Sequence, residues 1–128
     1  MHSEAPQSIQ YNKAKKQLQL SYANGEVMRL SAELLRVHSP SAEVRGHGNA
    51  VPKLVFGKQH VEIRHIESVG HYAIKLVFSD KHDSGIYTWD YLYELAHTQE
   101  QKWDAYLQRL AKEGKTRGQD FIEIKELK

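Results

Sequence analysis

The sequence contains no cysteine. That excludes disulfides, thiolate metal sites, cysteine-ligated iron–sulfur clusters and cysteine nucleophiles, and it fits a reducing compartment. No apolar run approaches the roughly 18 residues a membrane helix requires. The polar stretch Met1–Gln10 lacks the apolar segment of a secretory signal. The expectation is a cytoplasmic protein with no membrane attachment. An excess of one charge is missing too: 18 Lys+Arg against 16 Asp+Glu leave +2, which makes no electrostatic case for nucleic acid. Phosphate cradles and serine elbows are absent. Gly46-His47-Gly48 is a lone G-x-G with no P-loop Lys-Ser/Thr behind it, and no G-x-S-x-G occurs. What remains is an ordinary globular mix, 40% apolar and 27% charged over 128 residues, enough to bury one core in one domain.

Residues 1–8 are polar, contain Pro6 and read as a disordered lead-in. From Tyr11 to Leu30 the pattern is a hairpin around Ala23-Asn24-Gly25. A three-residue loop with Gly25 left-handed pairs Leu20 with Met28 and Leu18 with Leu30, gathering apolar side chains on one face. A two-residue Asn-Gly loop would pair Leu20 with Arg29 instead. Ser31 is a candidate N-cap for a short helix carrying Leu34, Leu35 and Val37, which Ser39-Pro40 stops. Residues 39–53 read as a loop. Strand signals follow at 61–64, 66–69 and 72–78, and a return strand at Asp83–Tyr87. Thr88 caps a helical stretch to Glu113, with a break near His97 where Thr98-Gln99-Glu100-Gln101 is a capping-box pattern. Gly114 fits its end. Residues 114–128 read as a polar C-terminal tail with a short strand signal at Ile122 and Ile124. The fold class is α+β: a small β-rich single domain, 9–113, of antiparallel hairpins. A short helix follows the first hairpin, and a longer C-terminal helix or helix pair ends the domain. Leu20 to Ser31 and Leu76 to Thr88 echo one another, each a hairpin feeding a capped helix.

Eight histidines are the most unusual compositional feature. None forms the HExxH spacing, and His60 and His65 have opposite strand parity. The ordinary reading is a set of surface or locally satisfied rings. Lys102, Arg109 and Lys112 share a helix with Glu100, Asp104 and Glu113, which reads as a solvated face rather than a nucleic-acid stripe. Trp103 and Tyr106 read as core, and Trp89 as an anchor between helix and sheet.

Three stretches then resemble a known family: Leu34-Leu35-Arg36-Val37-His38-Ser39-Pro40 continuing to Gly48, Val69-Gly70-His71-Tyr72-Ala73-Ile74, and Ser79-Asp80-Lys81-His82-Asp83-Ser84-Gly85-Ile86-Tyr87 with Trp89 and Leu92. Together they resemble the small domain at the N-terminus of gamma-butyrobetaine hydroxylase, the DUF971 family, over roughly residues 9–112. The resemblance implies a non-catalytic role, since catalysis in those hydroxylases belongs to a separate iron and 2-oxoglutarate domain. It also implies a structural zinc held by C-x-C-x-x-C after the first helix and by a histidine of the second hairpin. Those positions fall here on Ser39, Ser41, Val44 and His82. Only the histidine is retained, and hydroxyls and a methyl group are no substitute for thiolates. The zinc site is therefore expected to be lost and no cofactor is expected. The loop histidines His38 and His47 are the residues that could rebuild a weak zinc or iron site with His82. Lys81 stands where the family usually has glycine, in a turn where a left-handed residue costs about 1 kcal/mol without glycine.

The leading expectation is a non-enzymatic interaction module. Its surface would combine loop 39–49 with the second hairpin turn: His38, Arg45, His47, Asp80, His82 and Asp83, polar residues on irregular backbone. The partner would be a protein. Relatives fused to P-loop ATPases that carry iron–sulfur clusters point to the cluster assembly machinery. The alternative is a metal-binding accessory protein for iron or zinc, and a weaker third reading uses His82 with Asp80 or Asp83 as acid–base groups.

Overall fold

Alternation of leucines with polar residues in Gln17–Ser21 puts Leu18 and Leu20 on one face of a strand, and the chain then turns back at Asn24-Gly25. In the computed structural model, which describes residues 4–41, 44 and 52–118, this hairpin is the centre of a three-stranded antiparallel meander: β1 (Ser8–Asn12), β2 (Gln17–Ser21) and β3 (Val27–Ser31). Leu20 pairs with Met28 and Leu18 with Leu30, the register of the three-residue loop. Gly25 has φ +90°, its N–H donates to the Tyr22 carbonyl (3.0 Å), and Asn24 Oδ1 accepts from Glu26 N (2.9 Å). Strand β1 is an addition to the hairpin expected from sequence. It pairs Ile9 with Leu20 and Tyr11 with Leu18, and Gln7 N already donates to Ser21 O (2.7 Å). The polar lead-in is thus drawn into the sheet from Gln7 onward, because the exposed edge of β2 supplies backbone partners for a chain with few apolar side chains of its own.

Helix α1 (Ala32–Val37) starts where expected, with Ser31 Oγ accepting from Leu34 N (3.0 Å). The second meander comprises β4 (Ile63–Val69), β5 (Ala73–Phe78) and β6 (Ile86–Thr88). The two strand signals at 61–64 and 66–69 merge into β4, whose pairing with β5 shifts between Ile63 and His65. That irregularity resets the in–out alternation and makes one strand look like two. The return strand is shorter than Asp83–Tyr87 suggests, because residues 80–85 form the turn. Helices α2 (Trp89–His97) and α3 (Gln99–Glu113) are separated at Thr98. Thr88 Oγ1 caps α2 by accepting from Tyr91 N (3.1 Å). The capping box at Thr98 does not form: its hydroxyl donates back to Glu94 O (2.8 Å), leaving α3 without a side-chain cap. Gly114 closes α3 with φ +70°.

Each half of the molecule is therefore a three-stranded meander feeding a hydroxyl-capped helix. Both halves contribute to one core: Leu18, Leu20 and Leu30 from the first sheet, Leu76 and Phe78 from the second, Leu35 from α1 and Leu92 from α2. A smaller cluster joins Val37, Val44 and Val55 to Tyr106 and Leu110 of α3, so Tyr106 is core, as its helical spacing suggests. The first residues beyond α3 belong to the fold and are not a free tail. Gly57 N donates to Thr116 O (3.1 Å) and Gln59 N to Arg117 O (2.9 Å). The Arg117 guanidinium grips the carboxylate of Glu33 with Nη2 at 2.8 Å and Nε at 3.0 Å. The strand signal at Ile122 and Ile124 lies outside the described residues. Among the described residues no helix is long and apolar enough to cross a membrane.

Candidate functional site

Two turns converge on one point of the interior. The first leaves α1. Its last carbonyls are taken up by His38 N (to Leu34 O, 3.0 Å) and Ser39 N (to Arg36 O, 3.3 Å), and Pro40 prevents the helix from continuing. Ser39 is fully buried and Ser41 and Val44 nearly so. The second joins β5 to β6. Lys81 N donates to Phe78 O (3.0 Å), Phe78 N to His82 O (2.9 Å), and Asp80 Oδ1 accepts from His82 N (3.2 Å). This closure places Lys81 at φ +74°, the left-handed conformation the glycine-to-lysine departure puts under strain. It also turns the His82 ring inward against Phe78, with ring centroids 6.1 Å apart.

His82 Nε2 lies 2.8 Å from Ser39 Oγ and 3.4 Å from Ser41 Oγ, and Ser39 Oγ also accepts from Ser41 N (3.3 Å). Gly85 backs this knot, since a Cβ there would stand 2.4 Å from Ser39 Oγ. Tyr87, fully buried, donates its hydroxyl to Leu35 O (2.5 Å), and Tyr91 donates to His38 O (2.5 Å). Burial drives the Tyr87 phenol far above its ordinary pKa, which favours the protonated, donating form. The helix exit and the hairpin turn are thus tied together by a buried polar joint.

Residues 9–93 match the family described as gamma-butyrobetaine hydroxylase-like, N-terminal. The chain belongs to this family. Two proteins with NMR solution structures resemble this gamma-butyrobetaine hydroxylase-like domain along nearly its whole length. One is 51% identical, with a TM-score of 0.79 over 94% of this chain and 95% of its own. The other is 44% identical, with a TM-score of 0.79 over 95% and 91%. A crystal structure from Acidithiobacillus ferrooxidans, of a protein of unknown function in the DUF971 family, is 37% identical with a TM-score of 0.60 over 71% of this chain and 91% of its own. No curated protein matches the chain.

Within this domain, three of the four positions that the resemblance assigns to zinc ligands, Ser39, Ser41 and His82, do come together, but the donor set does not fit the metal. It offers one imidazole nitrogen and two neutral hydroxyls, with Val44 contributing no donor at all. The imidazole nitrogen is already hydrogen-bonded to Ser39. Among the described residues no group of three or more His, Asp or Glu side chains could hold a metal ion.

The expected surface residues separate. His82 is interior, at 6% exposure, which corrects its placement on an interaction surface: the hydroxyls opposite give its ring a partner inside. His38 is half-buried, with Nδ1 donating to Leu34 O (3.1 Å), and burial holds its pKa below the ordinary value, with Lys102 adding to the effect. Asp80 faces two cations, Arg36 Nε at 2.8 Å and Lys58 Nζ at 2.6 Å, both on Oδ2. Burial works to raise its pKa, but the hydrogen bonds from Lys58 and Arg36 prevail and lower it. Asp83 is exposed. Arg45 and His47 lie outside the described residues. Sequence reasoning missed Arg36, Lys58 and Gly85. Arg36 and Asp80 are 44 residues apart, and no local pattern links them; Gly85 carried a signal only as part of the family motif.

Proposed function

We propose that this domain is a non-catalytic docking or accessory module in which a hydrogen-bonded joint has replaced the family's zinc clamp. The burial of the Ser39–His82 pair carries this reading. A serine hydroxyl 2.8 Å from an imidazole has the spacing of a nucleophile and its base. Yet Ser39 is 0% exposed, so no substrate carbonyl can approach it. The pair links α1 to the β5–β6 turn, the mechanical task that a structural metal would otherwise perform. With the joint closed inside, recognition falls to what the turn exposes, Lys81, Asp83 and Ser84. A protein partner is the occupant, with the iron–sulfur assembly machinery the class that the fusions of relatives suggest.

The experiment compares the chain with its Ser39→Cys/Ser41→Cys/Val44→Cys variant, each purified free of metal and titrated with zinc or iron(II). The expected result is an unchanged Tm for the natural chain and a raised Tm, with bound zinc by elemental analysis, for the variant. A Tm rise or tightly held metal in the natural chain would overturn the reading in favour of metal handling. Affinity capture with the natural chain and with Lys81→Ala/Asp83→Ala then tests the surface. A partner held equally by both would move docking away from the turn.

A further inference from the structure

The tip of the β2–β3 turn places a reactive pair of residues in water. Asn24 and Gly25 are both exposed. Of the chain's three asparagines, Asn24 alone precedes glycine; Asn12 precedes Lys13 and Asn49 precedes Ala50. An asparagine Cγ is open to attack by the backbone nitrogen of the next residue, and glycine puts no Cβ in the way. The space beside Gly25 is also open, since a Cβ built there would meet nothing within 4 Å, so base and water have access. Asn24 Oδ1 accepts from Glu26 N (2.9 Å). This bond folds the side-chain amide forward over Gly25. It also aims an N–H at the oxygen on which charge collects when Cγ becomes tetrahedral. The opposing contact is the Gly25 N–H bond to Tyr22 O (3.0 Å), which must open before the nitrogen can react. Glu26 in turn bridges the hairpin to α2. Its Oε1 accepts from Tyr93 Oη (3.3 Å) and its Oε2 lies 3.2 Å from His97 Nε2.

We infer that Asn24 is a site of spontaneous deamidation in the folded chain, and that its conversion to isoaspartate releases the tie between the first hairpin and α2. Gly25 N gives its proton to base and bonds to Asn24 Cγ. The Cγ–Nδ2 bond breaks and ammonia leaves. Water then opens the cyclic imide at either carbonyl. In sum, amide and water become acid and ammonia, with no change of oxidation state. Opening at the side-chain carbonyl gives aspartate. Opening at the main-chain carbonyl gives isoaspartate, whose backbone runs through the former side chain and is one carbon longer. The three-residue loop closed by left-handed Gly25 (φ +90°) does not accommodate that extra carbon, and Glu26 N loses its acceptor. Displacing Glu26 takes its contacts from Tyr93 and His97 together. The inference is independent of the docking reading and involves neither the His82 joint nor a partner.

The test incubates the full chain, ¹⁵N-labelled and folded, in mildly alkaline buffer. Peptide mass spectrometry with fragmentation that separates the two aspartate linkages follows each asparagine. Asn24 should convert at least about tenfold faster than Asn12 or Asn49, with isoaspartate among the products. In the isoaspartate form the Glu26, Tyr93 and His97 amide signals should shift. Asn24→Asp adds the charge without lengthening the backbone and should leave Tyr93 and His97 in place. Asn24→Ser, incubated alongside, should keep an unchanged spectrum. An unmodified Asn24, or conversion of Asn12 or Asn49 at an equal rate, would overturn the site. Unshifted Tyr93 and His97 signals in the isoaspartate form, or the same shifts in Asn24→Asp or in incubated Asn24→Ser, would overturn the release.

Discussion

Gly85 is the position where the buried joint can be tested by geometry alone. A Cβ added there would lie 2.4 Å from Ser39 Oγ, 3.2 Å from Tyr87 Cε1 and 3.5 Å from Pro40 Cδ. Only the first distance is impossible, and the offending atom cannot swing away without cost, because it is held by His82 Nε2 at 2.8 Å and by Ser41 N at 3.3 Å. Overpacking of this kind costs about 1–3 kcal/mol, so Gly85→Ala should be destabilised by that amount. Ser39→Ala removes the shorter of the two hydroxyl contacts on the buried imidazole nitrogen and leaves the longer one, 3.4 Å to Ser41 Oγ, again about 1–3 kcal/mol. Together the two changes should not add. With Oγ gone, the new methyl meets only the Tyr87 ring edge at 3.2 Å and Pro40, and the double variant should be about as stable as Ser39→Ala alone. The coupling energy is then about 1–3 kcal/mol in favour of the pair, within the range for directly touching residues. Equilibrium unfolding in urea of the natural chain, both single variants and the double variant measures it. Costs that sum to within about 0.5 kcal/mol would refute the claim that Gly85 is small in order to make room for the Ser39 hydroxyl.

The strained turn offers a stabilising change: Lys81→Gly, at φ +74°, should raise stability by up to about 1 kcal/mol, the left-handed penalty less the extra freedom glycine has when unfolded; an unchanged urea midpoint would show that the turn relaxes. Tyr87→Phe strands the Leu35 carbonyl, now 2.5 Å from the phenol oxygen, and should cost about 1–3 kcal/mol by thermal or chemical denaturation. Asp80 has a folded pKa below its ordinary 3.8, so its stabilising contribution is complete above that value and disappears as pH falls through the lower folded value. Asp80→Asn should flatten the acid limb of a stability–pH curve below about pH 4, and an unaltered limb would place the acid sensitivity elsewhere. His38, also lowered, adds stability that is full above 6.5 and fades as pH falls through its folded pKa. His38→Gln should remove that part of the slope, and an unchanged slope between pH 7 and 5 would contradict it.

Elements bounded by strong local chemistry were legible in the sequence. The β2–β3 register followed from Gly25 and from matching Leu18 and Leu20 against Leu30 and Met28, because a one-residue slip would have put Met28 and Leu30 on the face opposite Leu18 and Leu20. The two helix starts followed from Ser31 and Thr88. Strand β1 was not legible, because its stability comes from the edge of β2 rather than from its own side chains. The capping box at Thr98 failed for a related reason: the preceding helix runs directly into it, and the Glu94 carbonyl competes for the hydroxyl. At the candidate site, the meeting of Ser39 and Ser41 with His82 came from the family motif. The Arg36–Asp80–Lys58 cluster came from no pattern at all, being assembled from three separate parts of the chain. Likewise, a histidine between two aspartates reads as solvent-facing until the hydroxyls waiting for it inside are known.

The grip of Arg117 on Glu33 sets where this domain can be cut. Glu33 is almost wholly enclosed, at 6% exposure, and its cationic partner comes from 84 residues further along, beyond the stretch 9–93 that defines the family. A chain truncated at Glu113 would keep every strand and helix of the described residues yet take from the buried Glu33 carboxylate its ion-pair partner among them, a situation that proteins tolerate poorly. A unit that keeps this ion pair therefore reaches at least to Arg117, and excising the family segment alone would leave Glu33 without it.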